Sequence, residues 1–236
     1  MKPCLALLAT LAAILPGAAF AQEIGIELGG EGSLTLRTVQ MIALLTVLSL
    51  APSIAITVTC FPFIVTVLSI MRQAMGLQAS PPNMLIVSLA MFLTYFVMEP
   101  VATAAWEAGI GPLTRGEMEA GAALEAAVEP FRQFMGARVD ADTLEHLRAL
   151  RPEAEADALA VLIPSFLLSE ISRAFQIGFL VFMPFLIIDM VAAAVLMSMG
   201  MMMVPPAIVS LPFKLAFFVV VDGWTLVSGA LVRSYL

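Results

Sequence analysis

The chain has 236 residues, is 61% hydrophobic and only 12% charged, and carries a formal charge of −7. Soluble domains lie nearer half apolar and a quarter charged, so composition alone marks an integral membrane protein. The acidic balance excludes nucleic acid as a partner, because phosphate contacts need a basic surface.

Residues 1–21 have the three parts of a secretory signal: Lys2, the apolar core Leu5–Leu15, and Ala19-Phe20-Ala21 as an A-x-A cleavage site. The core is too short to cross a bilayer. Cleavage leaves Gln22 on the outer side of the cytoplasmic membrane, with 22–37 as a mobile lead-in. Thr38–Ile70 is one long apolar run interrupted by Pro52 and Pro62. It exceeds the roughly 20 residues that span hydrocarbon, so a kinked or broken helix is expected. A turn over 72–83, with Gly76 and Pro81-Pro82, leads into a second apolar helix, Met84–Ala105. Residues 38–105 therefore read as a helical hairpin.

Residues 106–165 differ, with five arginines and eleven acidic residues. Helical patches at Glu117–Phe134 and Asp142–Leu150 suggest a small acidic domain, supported by packing on neighbouring helices rather than by its own core. Residues 166–236 are again apolar: a helical run Phe166–Met199 containing Pro184, then Ala207–Val232. The fold class is all-α and membrane-associated, with two long kinked helical hairpins flanking the acidic domain. The signal segment places that domain on the periplasmic side, although its five arginines disagree mildly with the positive-inside tendency.

Between the last two runs lies Gly200-Met201-Met202-Met203-Val204-Pro205-Pro206. Gly200 and the prolines cannot continue a helix, so the methionines fall on irregular backbone. In a membrane such backbone is tolerated only where protein buries it or it lines an aqueous cavity. Methionine is apolar and able to repack around varied shapes. The stretch is either a surface turn whose methionines fill gaps or a deformable apolar seal.

Ionisable residues inside apolar runs are functional candidates: Glu99, Glu170, Arg173, Asp189, Lys214, Asp222 and Arg233. Glu170 and Arg173 stand three apart and can pair along one helix. Asp189 has no partner within a turn. Lys214 and Asp222 are about 12 Å apart along a helix and on different faces, so each needs a partner elsewhere. The acids and bases hold an assembly together or carry protons. The single histidine, His146, has no companion ligands, and no nucleophile–base pair, phosphate loop or metal set occurs, so no cofactor and no enzymatic role are expected. With Cys4 removed in the signal segment, Cys60 is left without an intrachain disulfide partner.

Several strings converge on one family: Met71–Gly76 with Pro81-Pro82-Asn83, Ser169-Glu170 with Ala174–Phe179, Pro184–Asp189, Met199–Pro206, Ser210–Lys214 and Val221–Trp224. Together they resemble the FliP family of type III protein export gate subunits, over about residues 42–235. The acidic domain is only loosely similar, apart from Pro130–Met135. The resemblance implies a ring of about five copies built with FliR and FliQ and acting with FlhB and FlhA. That ring lies in the inner membrane at the flagellar basal body and passes unfolded flagellar subunits. It also implies hairpins that wrap a cone-shaped assembly instead of each crossing lipid, and a methionine gasket at Met201, Met202 and Met203 shaped by Gly200, Pro205 and Pro206. Glu170, Arg173, Asp189, Lys214 and Asp222 would then be assembly ion pairs. Phe63 stands where relatives usually carry an arginine. Virulence-type injectisome relatives share most of the strings but typically lack a cleaved signal, so residues 1–21 favour the flagellar branch. A proton-coupled transporter using Asp189 or Asp222, and a passive scaffold, are the readings from other classes.

Overall fold

The computed structural model describes residues 31–77, 81–153, 158–201 and 203–235. The signal segment with Ala19 and Ala21, residues 22–30 of the lead-in, and Met202 lie outside the described residues. Every regular element described is helical. The chain divides into two compact units, Met1–Ser49 and Leu50–Leu236.

Helix α1, Glu31–Thr57, belongs to both units. It has no charged residue after Arg37. Thr46 and Thr57 each turn their hydroxyl back onto a carbonyl of their own helix, those of Ile42 and Ile54, at 2.8 Å. This satisfies side-chain polarity without any outside partner.

The apolar run expected over 38–70 is two helices. The chain breaks at 58–60, and α2, Phe61–Ala74, restarts with Pro62 in its first turn, where proline costs no helical hydrogen bond. Helix α2 is the centre of the second unit. Phe63, Ile64, Val67, Leu68, Met71 and Ala74 are all fully buried, and burial of each large side chain contributes about 1.5–3 kcal/mol. Helices α3, Asn83–Ala105, and α7, Leu159–Ser198, pack against it. Gly178 of α7 lets the two helices approach closely, since a Cβ there would lie 2.4 Å from Ile70 Cδ1. Gly76 takes φ +78° to end the α2 turn, and Arg72 closes it by donating to the Asn83 side chain and, at 3.4 Å, to the Pro81 carbonyl.

Helix α3 continues through a π-helical turn, Trp106–Ile110, into the short α4, Gly111–Thr114. The acidic domain follows as α5, Ala120–Arg138, and α6, Ala141–Ala149, close to the two patches expected. Asp140 caps α6, accepting from Thr143 N at 3.0 Å and Thr143 Oγ1 at 2.9 Å. Those bonds to the charged form hold its carboxyl below the usual aspartate range.

Two boundaries differ from the sequence reading. Helix α7 begins at Leu159, so 159–165 are its first turns and not part of the acidic domain. The final run is also two helices, α8, Pro206–Val220, and α9, Gly223–Arg233, which meet at 61°. Asp222 sits at the break with φ +48°. An Asp-Gly pair is a turn signal, and Gly223 is pressed so closely on Phe218 that a Cβ would lie 2.1 Å from its ring.

Among the described residues, Arg37–Thr57, Asn83–Thr114 and Leu159–Ser198 are long and apolar enough to cross a membrane, and α8–α9 qualifies as a fourth, broken span.

Candidate functional site

Two polar clusters are set into this apolar unit, both anchored on α7. In the first, Lys214 of α8 donates from Nζ to Asp189 Oδ2 at 2.6 Å and to the Ala74 carbonyl at 3.1 Å. Ser210 donates to the other carboxylate oxygen at 2.5 Å. The Lys214 side chain is 6% exposed. Ala74 is the last residue of α2, whose final carbonyls lack partners within the helix and carry its negative dipole end. The ammonium thus satisfies a carboxylate and a helix terminus at once, and joins α2, α7 and α8. The partner that Lys214 and Asp189 each require is the other.

The second cluster surrounds Glu170, whose side chain is fully buried. It accepts from Arg173 Nη1 at 3.2 Å, along one helix face as its spacing predicts. It also accepts from Arg138 Nε at 3.3 Å and from the Tyr235 hydroxyl. Arg138 donates onward to the Ser234 carbonyl at 2.7 Å and lies 3.9 Å above the Tyr235 ring. Arg173 reaches the Arg138 carbonyl at 3.3 Å, covering the end of α5, and Asp140 N donates to Ser169 Oγ at 2.9 Å. One face of α7 thereby grips the α5–α6 junction. Burial, together with the Glu170 carboxylate, pushes the Tyr235 phenol above its usual range. Phe63 is fully buried and meets Tyr235 edge-on at 5.5 Å.

Arg138, Tyr235, Ser210 and the Ala74 carbonyl belong to these clusters and escaped sequence reasoning. Arg138 and Tyr235 lie 32 and 65 residues from Glu170, beyond any spacing rule. Their one signal was a buried acid facing more than one partner's worth of desolvation cost. Asp222 stands apart from both clusters: it is exposed at the α8–α9 break and, among the described residues, makes no ion pair. Glu99 and Arg233 are likewise exposed.

The methionine turn is a built element. Gly200, at φ +72°, ends α7: its N–H reaches the Met197 carbonyl at 3.0 Å, and Met201 N reaches that of Leu196 at 3.0 Å. This is a Schellman cap, which needs a left-handed residue at the position Gly200 holds. Pro206 opens α8 from within its first turn, with Pro205 as the extended residue before it. Between these stops, Met201 and Met203 lie on irregular backbone, Met201 at 43% and Met203 at 97% exposure.

Apolar helices of spanning length, charges paired inside them and a rigidly bounded methionine turn define an integral membrane protein of the all-helical class. The chain belongs to the FliP family, whose sequence profile matches residues 44–231. It is 53% identical to the flagellar biosynthetic protein FliP of Caulobacter vibrioides over 235 residues, covering 97% of this chain and 88% of the relative. It is 44% identical to that of Agrobacterium fabrum, covering 97% and 98% of the two chains. Against the Bacillus subtilis protein of the same name the identity is 44%, with 84% and 92% covered.

Proposed function

We propose that this chain is a core subunit of the flagellar type III export gate, forming with further copies of itself a protein-conducting channel that Met201, Met202 and Met203 seal. The observation that carries the reading is the methionine turn: a Schellman cap and a double-proline start fix its two ends, while Met203 is left 97% exposed at its tip. A soft apolar collar of such side chains from several copies blocks ions by dewetting yet yields to a threaded polypeptide. Gly200, Pro205 and Pro206 set the position of the turn. The partners on this reading are a ring of about five copies, FliR, FliQ, FlhB and FlhA, with unfolded flagellar subunits as cargo.

Glu170, Arg173, Asp189 and Lys214 act as assembly pairs within the subunit, and Asp222 offers an exposed carboxylate to a neighbour. The engagement of Asp189 by both Lys214 and Ser210 favours this fixed role over a proton carrier. In the inner membrane of the basal body, residues 106–158 face the periplasm and the methionine turn faces the cytoplasm, after removal of residues 1–21 at Ala21.

The test is a triple replacement, Met201→Ala, Met202→Ala and Met203→Ala. The variant is expected to assemble normally and to make cells leak small ions during export. Unchanged ion conductance in assembled complexes would remove the seal.

A further inference from the structure

The acidic domain has little core of its own. Helix α6 has no buried residue, and in α5 only Ala123 and Met135 are buried. The near end of α5 is set by chain continuity and by Gly109 of the π-helical turn. The two lie so close that a Cβ on Gly109 would come 2.2 Å from the Ala123 carbonyl oxygen. The far end, around Arg138, has to be fastened by other elements.

Part of that fastening comes from α7. Phe166 meets Phe134 edge-on at 5.8 Å, and Glu170 and Arg173 reach the Arg138 side chain and carbonyl. The rest comes from two residues beyond α9, 96 and 97 positions after Arg138. Arg138 Nη1 donates to the Ser234 carbonyl at 2.7 Å, and its guanidinium lies 3.9 Å above the Tyr235 ring. The Phe134 ring stacks on the same ring at 6.1 Å, 17° from parallel. The Tyr235 hydroxyl takes Glu170 Oε2, while both arginines take Oε1. Tyr235 is itself seated on Phe63 at the start of α2.

This arrangement decides how strong the Arg138–Glu170 pair is. An ion pair open to water contributes little, because solvent screens it and competes for its hydrogen bonds. Here the carboxylate is fully buried and the Arg138 side chain is 17% exposed, and the Tyr235 ring covers one and bonds the other. Without that ring the pair would be wet, and the far end of α5 would rest on few buried side chains.

We propose that Ser234 and Tyr235 form a strap: by keeping the Arg138–Glu170 pair dry, they fasten the far end of the acidic domain to α2 and α7. The domain therefore docks only when these two residues are in place. Synthesis runs from the N-terminus, so Arg138 is made long before its strap exists. Docking of the acidic domain is then a late step in folding of the subunit, independent of any role in a channel.

Tyr235→Ala, Tyr235→Phe and a stop after Arg233 test this in the otherwise full chain. Tyr95→Ala, at a position 69% exposed, is the control. Each protein is purified in detergent, and hydrogen exchange of backbone amides and limited proteolysis are followed. In Tyr235→Ala and the stopped chain, amides of 131–138 and 141–149 are expected to exchange at least tenfold faster. Cleavage within 106–158 is expected to accelerate as much, while amides of 64–74 stay within twofold of the parent. Tyr235→Phe keeps the ring and is expected to loosen the domain by no more than about threefold; the control matches the parent.

Unchanged exchange of the acidic domain in Tyr235→Ala and the stopped chain would overturn the strap. So would equal loosening of 64–74, which would make Tyr235 an ordinary core residue. A Tyr235→Phe protein as loose as Tyr235→Ala would overturn it too, by placing the whole effect in the hydroxyl and none in the covering ring.

Discussion

Lys214→Met removes the ammonium from the first cluster while keeping the length and apolar stem of the side chain. Breaking a buried pair by removing one partner costs about 3–5 kcal/mol, because a charge is left buried and uncompensated. Asp189 retains 35% exposure, so water recovers part of that cost, while the Ala74 carbonyl loses its donor and adds about 1 kcal/mol. The net expectation is about 3 kcal/mol, roughly a hundredfold in the folding equilibrium. Adding Asp189→Leu removes the stranded charge, and Ser210 still reaches the Ala207 carbonyl at 3.2 Å. The double variant is therefore expected within about 1 kcal/mol of the parent, since apolar replacement of a whole buried pair is often neutral. Unfolding of the detergent-solubilised protein, followed by tryptophan fluorescence, reads both values. A double variant as unstable as Lys214→Met alone would refute the reasoning, because the cost would then lie in lost contacts and not in an orphaned carboxylate.

Gly178→Ala puts a methyl into the α2–α7 crossing and is expected to cost about 1–3 kcal/mol, with Ile70→Ala restoring most of it; the same unfolding assay reports the rescue or its absence. Asp222→Gly is expected to be nearly neutral and Asp222→Ala to cost about 1 kcal/mol, since the left-handed backbone is what an alanine resists; equal losses would assign the residue's importance to its carboxylate. The Asp140 cap has a lowered folded-state pKa, so its contribution is fully present above the unfolded value and is lost as pH falls through the folded one. Amide protection of 141–149 should therefore drop on acidification below the usual aspartate range, and Asp140→Asn should blunt that dependence. Gly109→Ala would set a methyl 2.2 Å from the Ala123 carbonyl oxygen; limited proteolysis should then cut the acidic domain faster while leaving α7 intact.

Much of the architecture was legible because it follows local rules. Apolar runs of spanning length gave apolar helices, Pro62 and Pro81-Pro82 marked real starts and turns, and the three-residue spacing of Glu170 and Arg173 reported a pair that forms. The glycine and prolines around the methionines located a true break. Local rules failed where the deciding contact is distant in sequence. No spacing connects Tyr235 or Arg138 to Glu170, and nothing near Lys214 names a carbonyl 140 residues away. The start of α7 was misplaced at Phe166, whereas the helix begins at Leu159 and carries Pro164 within its interior. Asp222-Gly223 was absorbed into an apolar run although that pair is the chemistry of a turn.

The 40-residue length of α7 gives the molecule a ruler. Glu170 and Asp189, nineteen positions apart, fall about 28 Å apart along its axis and roughly 100° apart around it. Gripped at two heights and two azimuths, the rod can neither roll nor slide. One residue inserted between the grips would turn one of them through about 100° relative to the other, and the two sets of partners could then not both be met.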